Sequence, residues 1–296
     1  MPGQGAALKH KPEIDGLRAI AVGAVVLYHA FPSALPGGFV GVDVFFVISG
    51  YLITALLVQE RARTGRIDFA SFYARRARRL LPALVAMLLG VMVLLVVFMG
   101  RHESLVADAA TSSLWSLVFA ANFHFQSNVG GYFDAAAEAR PMLHLWSLAV
   151  EEQFYLFYPW LLAGLLAWFP RAPARRLALL AAASFLLSEY WVNIEPGRAF
   201  YQMPSRFWEL AAGGLVALSP SAGRVAWPHR AALVLGFSLV VLACIFTGGW
   251  GSFPGKTAIP VVVGTSLALL AIHRGEVSGW VGALLRTRPM VGLGLV

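Results

Sequence analysis

Apolar residues fill long stretches of this chain with little polar interruption. Residues 80–99, 145–169 and 231–246 approach or reach the roughly 20 residues that a helix needs to cross a hydrocarbon core about 30 Å thick. The period-two alternation of an outer-membrane barrel is absent, so the backbone must satisfy its polar groups inside helices. The pattern predicts an all-α, polytopic transmembrane helix bundle. Its spans fall at residues 14–31, 38–58, 80–99, 144–169, 177–193, 205–218, 231–246 and 257–272. Residues 111–125 do not fit, being short and containing Ser112, Ser113, Ser116 and Asn122. They read as a re-entrant segment whose polar groups are satisfied by protein neighbours. Residues 290–296 begin a further apolar run too short to cross, so the chain reads as one membrane domain over 1–296, C-terminally truncated and without a soluble domain.

The arginines orient the bundle. The linker after the second span holds Arg61, Arg63, Arg66, Arg75, Arg76, Arg78 and Arg79, which places it in the cytoplasm by the positive-inside bias. The N-terminus, with Lys9, Lys11 and Arg18, is then also inside, and the turn at 32–37 is outside. If 111–125 crossed, Arg171 to Arg176, Arg224, Arg230, Arg274, Arg286 and Arg288 would all fall outside, against the bias. The re-entrant reading avoids this and puts Thr64 and Gly131 on opposite sides. Composition agrees: 58% of residues are hydrophobic and 13% charged, and the mean hydropathy is +0.70. The net charge of +8 sits beside the spans, so it reports topology and not nucleic-acid binding. A lone Cys244 excludes an internal disulfide. Lys9 and Lys11 before the first apolar stretch suggest a signal peptide, but Glu13 and Asp15 between them argue against cleavage.

Ionisable residues inside a membrane are costly and mark candidate function. Arg18 and His29, eleven residues apart, share a helix face about 16 Å apart in rise. His29 precedes the outer turn and Asp43 follows it, so a carboxylate could orient the imidazole as a general base; a hydrogen bond without chemistry is the alternative. His144, Ser147 and Glu151 line one face of the long central span, with Glu151 about 10 Å below its start. Glu152 points elsewhere, Trp146 reads as packing or interface, and Arg206 with Glu209 reads as an internal ion pair. Arg76 and Arg79, one turn apart, form either part of an interfacial amphipathic helix or a fork suited to diphosphate. No metal-ligand spacing is present.

PEIDGLR at 12–18 running to His29, GFVGVDVFFVISGYLIT at 38–54, FYARRARRLLPAL at 72–84, ANFHF at 121–125, HLWSLAVEEQFYLFYPWLL at 144–162 and PSRFWELAAGGLVA at 204–217 together resemble the acyltransferase-3 family of membrane O-acyltransferases. The resemblance implies acyl-CoA, commonly acetyl-CoA, as donor at the cytoplasmic face, and an extracytoplasmic cell-surface glycan or lipid-linked sugar as acceptor. It implies a bacterial inner-membrane location, no metal, and in many members a C-terminal SGNH hydrolase-like domain. The family's motifs fall on Arg18 and His29, on Arg76 and Arg79, and on Trp146, Ser147, Glu151 and Glu152. His29, Asp43 and Glu151 are then the expected catalytic residues, Arg18, Arg76 and Arg79 the donor-binding ones, and Ser147, Trp146 and Glu152 the acceptor-binding ones. A transporter or flippase is the alternative, but the helices broken in two matching halves that it would need are missing.

Overall fold

The computed structural model describes residues 10–100, 102–129, 140–220, 229–249, 253–275 and 277–295. Lys9, Gly131 and Arg224, which entered the topology argument, lie outside them. Every regular element among the described residues is helical. The chain runs through α1 (Pro12–Ala30), α2 (Gly41–Thr64), α3 (Phe69–Met99), α4 (Glu103–Leu117), α5 (Ala121–Val129), α6 (Leu145–Trp168) and α7 (Pro173–Ile194). It continues through α8 (Pro196–Tyr201), α9 (Met203–Leu218), α10 (His229–Phe246), α11 (Ile259–His273), α12 (Trp280–Leu285) and α13 (Arg288–Leu295). Gly38–Thr64, Phe69–Met99, Pro173–Ile194 and Gly255–His273 are long and apolar enough to cross a membrane. The protein is therefore an all-α, multi-pass membrane protein.

Helices lie at each predicted span, four of them long and apolar enough to cross, with small changes at their ends except that α2 runs on to Thr64 and α3 starts at Phe69 and not at residue 80. The cause is local. Asp68 caps the helix by accepting from the Ser71 amide at 3.1 Å, so the arginine-rich stretch winds into the same helix as the apolar one.

The tightest seam joins α2 to α9. A Cβ on Gly50 would overlap the Leu210 carbonyl, and one on Gly213 would overlap the Val47 carbonyl. Bare glycines let the two backbones touch, as small residues do where helices pack in lipid. α13 lies along the start of α1, where Gly294 meets the Asp15 backbone and Arg286 bonds Glu13 at 2.5 Å. The Lys11 ammonium donates to the Ile272 and His273 carbonyls at the end of α11. The starts of α1 and α13 and the end of α11 thus share one face of the bundle, the Lys11 face. α1 runs from there to the opposite end, the His29 face.

α3 and α6 run antiparallel in matched steps. Phe69 stacks on Trp160 at 3.7 Å, Tyr73 donates to the Leu156 carbonyl at 2.7 Å, and Arg76 meets Glu152 at 2.7 Å. Between them in sequence, α4 and α5 form a helical hairpin. α4 has 15 residues and α5 nine, and neither is among the helices long and apolar enough to cross. The chain reverses at Phe119, which adopts a left-handed φ of 53°. Arg140, on the chain leaving the hairpin, pairs with Asp108 near the start of α4 at 2.7 Å and donates to the Asn128 carbonyl near the end of α5 at 3.2 Å. Entry and exit therefore lie at the same end. The re-entrant segment is wider than residues 111–125 and has its tip at Phe119. Two of its serines are satisfied differently from the expectation, since Ser113 and Ser116 donate to carbonyls one turn back in their own helix, while the buried Ser112 hydroxyl has no partner among the described residues.

Candidate active site

α6 carries the polar face on which the site is built. Glu151 Oε1 accepts from Ser49 Oγ of α2 at 2.5 Å and from the Tyr155 hydroxyl one turn along. The Arg76 guanidinium lies 3.3 Å from the centre of the Tyr155 ring and donates to Glu152, so one cation is shared between a π face and a carboxylate. Beside this cluster is a cavity of about 260 Å³ whose walls include Tyr73, Arg76, Leu81, Val118, Glu152 and Gln153. Val118 belongs to the hairpin tip, which therefore forms a wall of the cavity.

At the other end of the same α6 face, His144 precedes the helix and Ser147 donates to its carbonyl at 3.0 Å. Ring contacts running from Tyr28 through Phe39, Phe253 and Phe200 to Trp146 join the end of α1 to the start of α6, which puts His29 and His144 toward one mouth of the bundle. His29 is exposed, and its Nδ1 lies 2.8 Å from the Val25 carbonyl. A carbonyl can only accept, so Nδ1 carries the proton and Nε2 of the neutral ring carries a lone pair. From His144 to Glu152 the rise along α6 is about 12 Å.

Two of the expected partners are placed elsewhere. Asp43 does not orient His29; its Oδ1 is bonded at 2.8 Å by Arg206, which bonds Glu209 at the same distance, and all three side chains are no more than 1% exposed. A guanidinium buried in an apolar bundle needs carboxylates, and Asp43 is on the inward side of α2 where it can supply one. The Val25 carbonyl orients the imidazole instead. Trp146 is not available to an acceptor: it is 1% exposed and packs on Phe46, Phe200 and Tyr201, with the Arg206 guanidinium 5.4 Å from its ring. The Arg206–Glu209 pair is present as expected, with Asp43 added.

Arg76 and Arg79 do not form an open fork. Arg76 turns inward to Glu152 and Tyr155, while Arg79 is exposed one turn farther along α3. Arg18 sits near the Lys11 face, 4.0 Å from Asp15. The structure therefore gathers Arg76 and Glu152 at the cavity with Glu151 beside them, and places His29 at the end of α1 and Ser147 at the start of α6. Ser49, Tyr155 and Gln153 join the cavity cluster without having been singled out by the sequence. Tyr155 and Gln153 stood in plain view beside Glu151 and Glu152, whereas Ser49 had no local signal. Among the described residues, no three His, Cys, Asp or Glu side chains come together as metal ligands would.

A membrane bundle with a cavity under a re-entrant tip and a histidine at its mouth defines a class of site, and comparison with known proteins gives it a family. Residues 11–287 match the family model described as an acyltransferase domain, and the chain belongs to that acyltransferase-3 family. It is 32% identical over 309 residues, 97% of its length, to YrhL of Bacillus subtilis, which carries the provisional name of a peptidoglycan O-acetyltransferase. It is 37% identical over 69% of its length to the peptidoglycan O-acetyltransferase OatA of Listeria monocytogenes. It is 35% identical over 71% of its length to the O-acetyltransferase OatA of Staphylococcus aureus. The chain spans 46%, 33% and 34% of these relatives, so each is more than twice as long as the part it matches. No solved structure matches the chain.

Proposed function

We propose that this chain is the membrane part of an O-acyltransferase. It takes an acyl group, acetyl foremost, from acyl-CoA at the Lys11 face in the bacterial cytoplasm. It delivers that group at the His29 face to a hydroxyl of a cell-wall carbohydrate, the acceptor class that two of the relatives' names suggest. The observation that carries this reading is the Arg76–Glu152 cavity on α6, about 12 Å along that helix from the turn that holds His144 and Ser147.

In the cavity, Arg76 offers N–H donors and Glu152 an acceptor to the amides of the donor's arm, and Glu151 with Ser49 fixes Tyr155 beneath Arg76. Arg18 supplies charge for the phosphates, and Arg79 adds to the positive field that draws in an anionic donor. At the mouth, His29 Nε2 takes the proton of the acceptor hydroxyl as its oxygen attacks the thioester carbonyl. The C–O bond forms, the C–S bond breaks, and the thiolate recovers the proton from the imidazolium. Ser147 stands beside this mouth as an acceptor contact. A following SGNH hydrolase-like domain would receive the acyl group or its product on the far side.

Cell-wall O-acetyl content, measured by mass spectrometry, tests the reading. It should fall when the full-length gene is deleted, return with the parent gene, and stay low with Arg76→Ala. In detergent, Arg76→Ala should weaken acetyl-CoA binding by about tenfold or more, the effect of one charge-assisted hydrogen bond. Unchanged affinity would leave Arg76 a structural partner of Glu152. Sidedness has its own test. In a Cys244→Ala background, an impermeant maleimide added to intact cells should label Ser33→Cys and spare Thr64→Cys, and labelling of both would sink the orientation.

A further inference from the structure

The tip of the re-entrant hairpin is held by side chains that the mechanism above does not use for chemistry. Gln153 of α6 donates from Nε2 to the Phe119 carbonyl at 2.9 Å and to Asn122 Oδ1 at 2.8 Å. Asn122, 0% exposed, donates in turn to the Tyr201 carbonyl at 3.0 Å and to Gln153 Oε1 at 3.4 Å. Two amides thus pair reciprocally, and between them they capture the carbonyl of the residue at the reversal and the carbonyl at the end of α8. A backbone carbonyl at membrane depth without a partner costs several kcal/mol, so a non-helical reversal there needs such a clamp.

The clamp is placed where it bears on the cavity. Gln153 and Phe119 both line it, together with Arg76 and Leu81. Phe119 has its left-handed φ of 53°, sparsely populated for a residue with a side chain and maintained only where the surroundings fix it. A second amide pair, Gln202 to Gln126, ties the body of α5 to the bundle, so the hairpin stays docked when the tip alone is released.

We propose that Gln153 and Asn122 are positioning residues that set the hairpin tip as one wall of the donor cavity, and so determine how tightly the donor's arm is held. This rests on the cavity being the donor site. Gln153→Met in the full-length protein keeps the length and packing of the side chain and removes its hydrogen bonds. With acetyl-CoA as the varied substrate, KM should rise about tenfold while kcat stays within about twofold, because a loosened cavity wall weakens ground-state and transition-state binding alike. Gln153→Asn, which keeps the amide but shortens its reach, should act in the same direction. Asn122→Leu combined with Gln153→Met should cost little more than either alone, since both release one clamp. A Gln153→Met enzyme with the parent's KM, or with lowered kcat at unchanged KM, overturns the proposal and leaves a space-filling residue. If Arg76→Ala also leaves KM for acetyl-CoA unchanged, the donor-site reading is what fails; if Arg76→Ala raises it and Gln153→Met does not, the clamp alone fails.

Discussion

His29→Ala is expected to lower acyl transfer by about 10²- to 10⁴-fold, the range lost with a general base, while the protein still accumulates in the membrane and still binds acetyl-CoA. The separation follows from geometry. The hydrogen bond from Nδ1 to the Val25 carbonyl is local to α1, and the Arg76–Glu152 cavity lies about 12 Å down α6 from the His144 turn. Loss of the imidazole therefore removes a proton acceptor at the mouth without disturbing the donor cavity. Turnover of acetyl-CoA against a soluble glycan acceptor, measured with binding on the same preparation, checks both halves. A variant that transfers at near the parent rate would end the proposed role of His29.

The second large effect concerns stability. Arg206→Ala leaves Asp43 and Glu209 as buried carboxylates without their cation and should cost about 3–5 kcal/mol, which in a marginally stable bundle means little folded protein. Arg206→Lys should not restore it. The guanidinium donates from Nε to the Phe200 carbonyl at 2.9 Å and lies near the rings of Trp146, Phe200 and Phe253, contacts that a point charge on a flexible stem does not reproduce. Removing all three charges together, with Arg206→Met, Asp43→Asn and Glu209→Gln, should recover much of the loss. Thermal unfolding in detergent gives the comparison, and an Arg206→Ala protein as stable as its parent would show that the triad contributes nothing to the fold.

Residue pattern foretold the spans because lipid imposes a length and a polarity on each of them. Helices α6, α7, α9, α10 and α11 coincide with apolar runs in the sequence, and α7 and α11 fall within segments long enough to cross. The α4–α5 hairpin was legible for a different reason: serines and an asparagine in a short apolar run mark a segment unlike the spans around it. Contacts between helices were harder. Depth along a helix can be counted at 1.5 Å per residue, and it placed Asp43 and His29 at similar heights, but it gives no rotation about the helix axis. Asp43 turned out to face α9 and its arginine. Arg76 and Arg79 posed the same difficulty, since two residues at i and i+3 look like one fork until a neighbouring helix claims one of them. Ser49 could not have been found, because its partner Glu151 lies 102 positions away.

The glycine seam between α2 and α9 bears on how the fold responds to temperature. Soluble proteins owe the strong curvature of their stability to apolar surface that meets water on unfolding and raises the heat capacity. When α2 and α9 part within a bilayer, the faces around Gly50 and Gly213 meet hydrocarbon instead, and little water is ordered or released. Their union depends on close van der Waals contact, so its strength changes only gently between cold and warm growth.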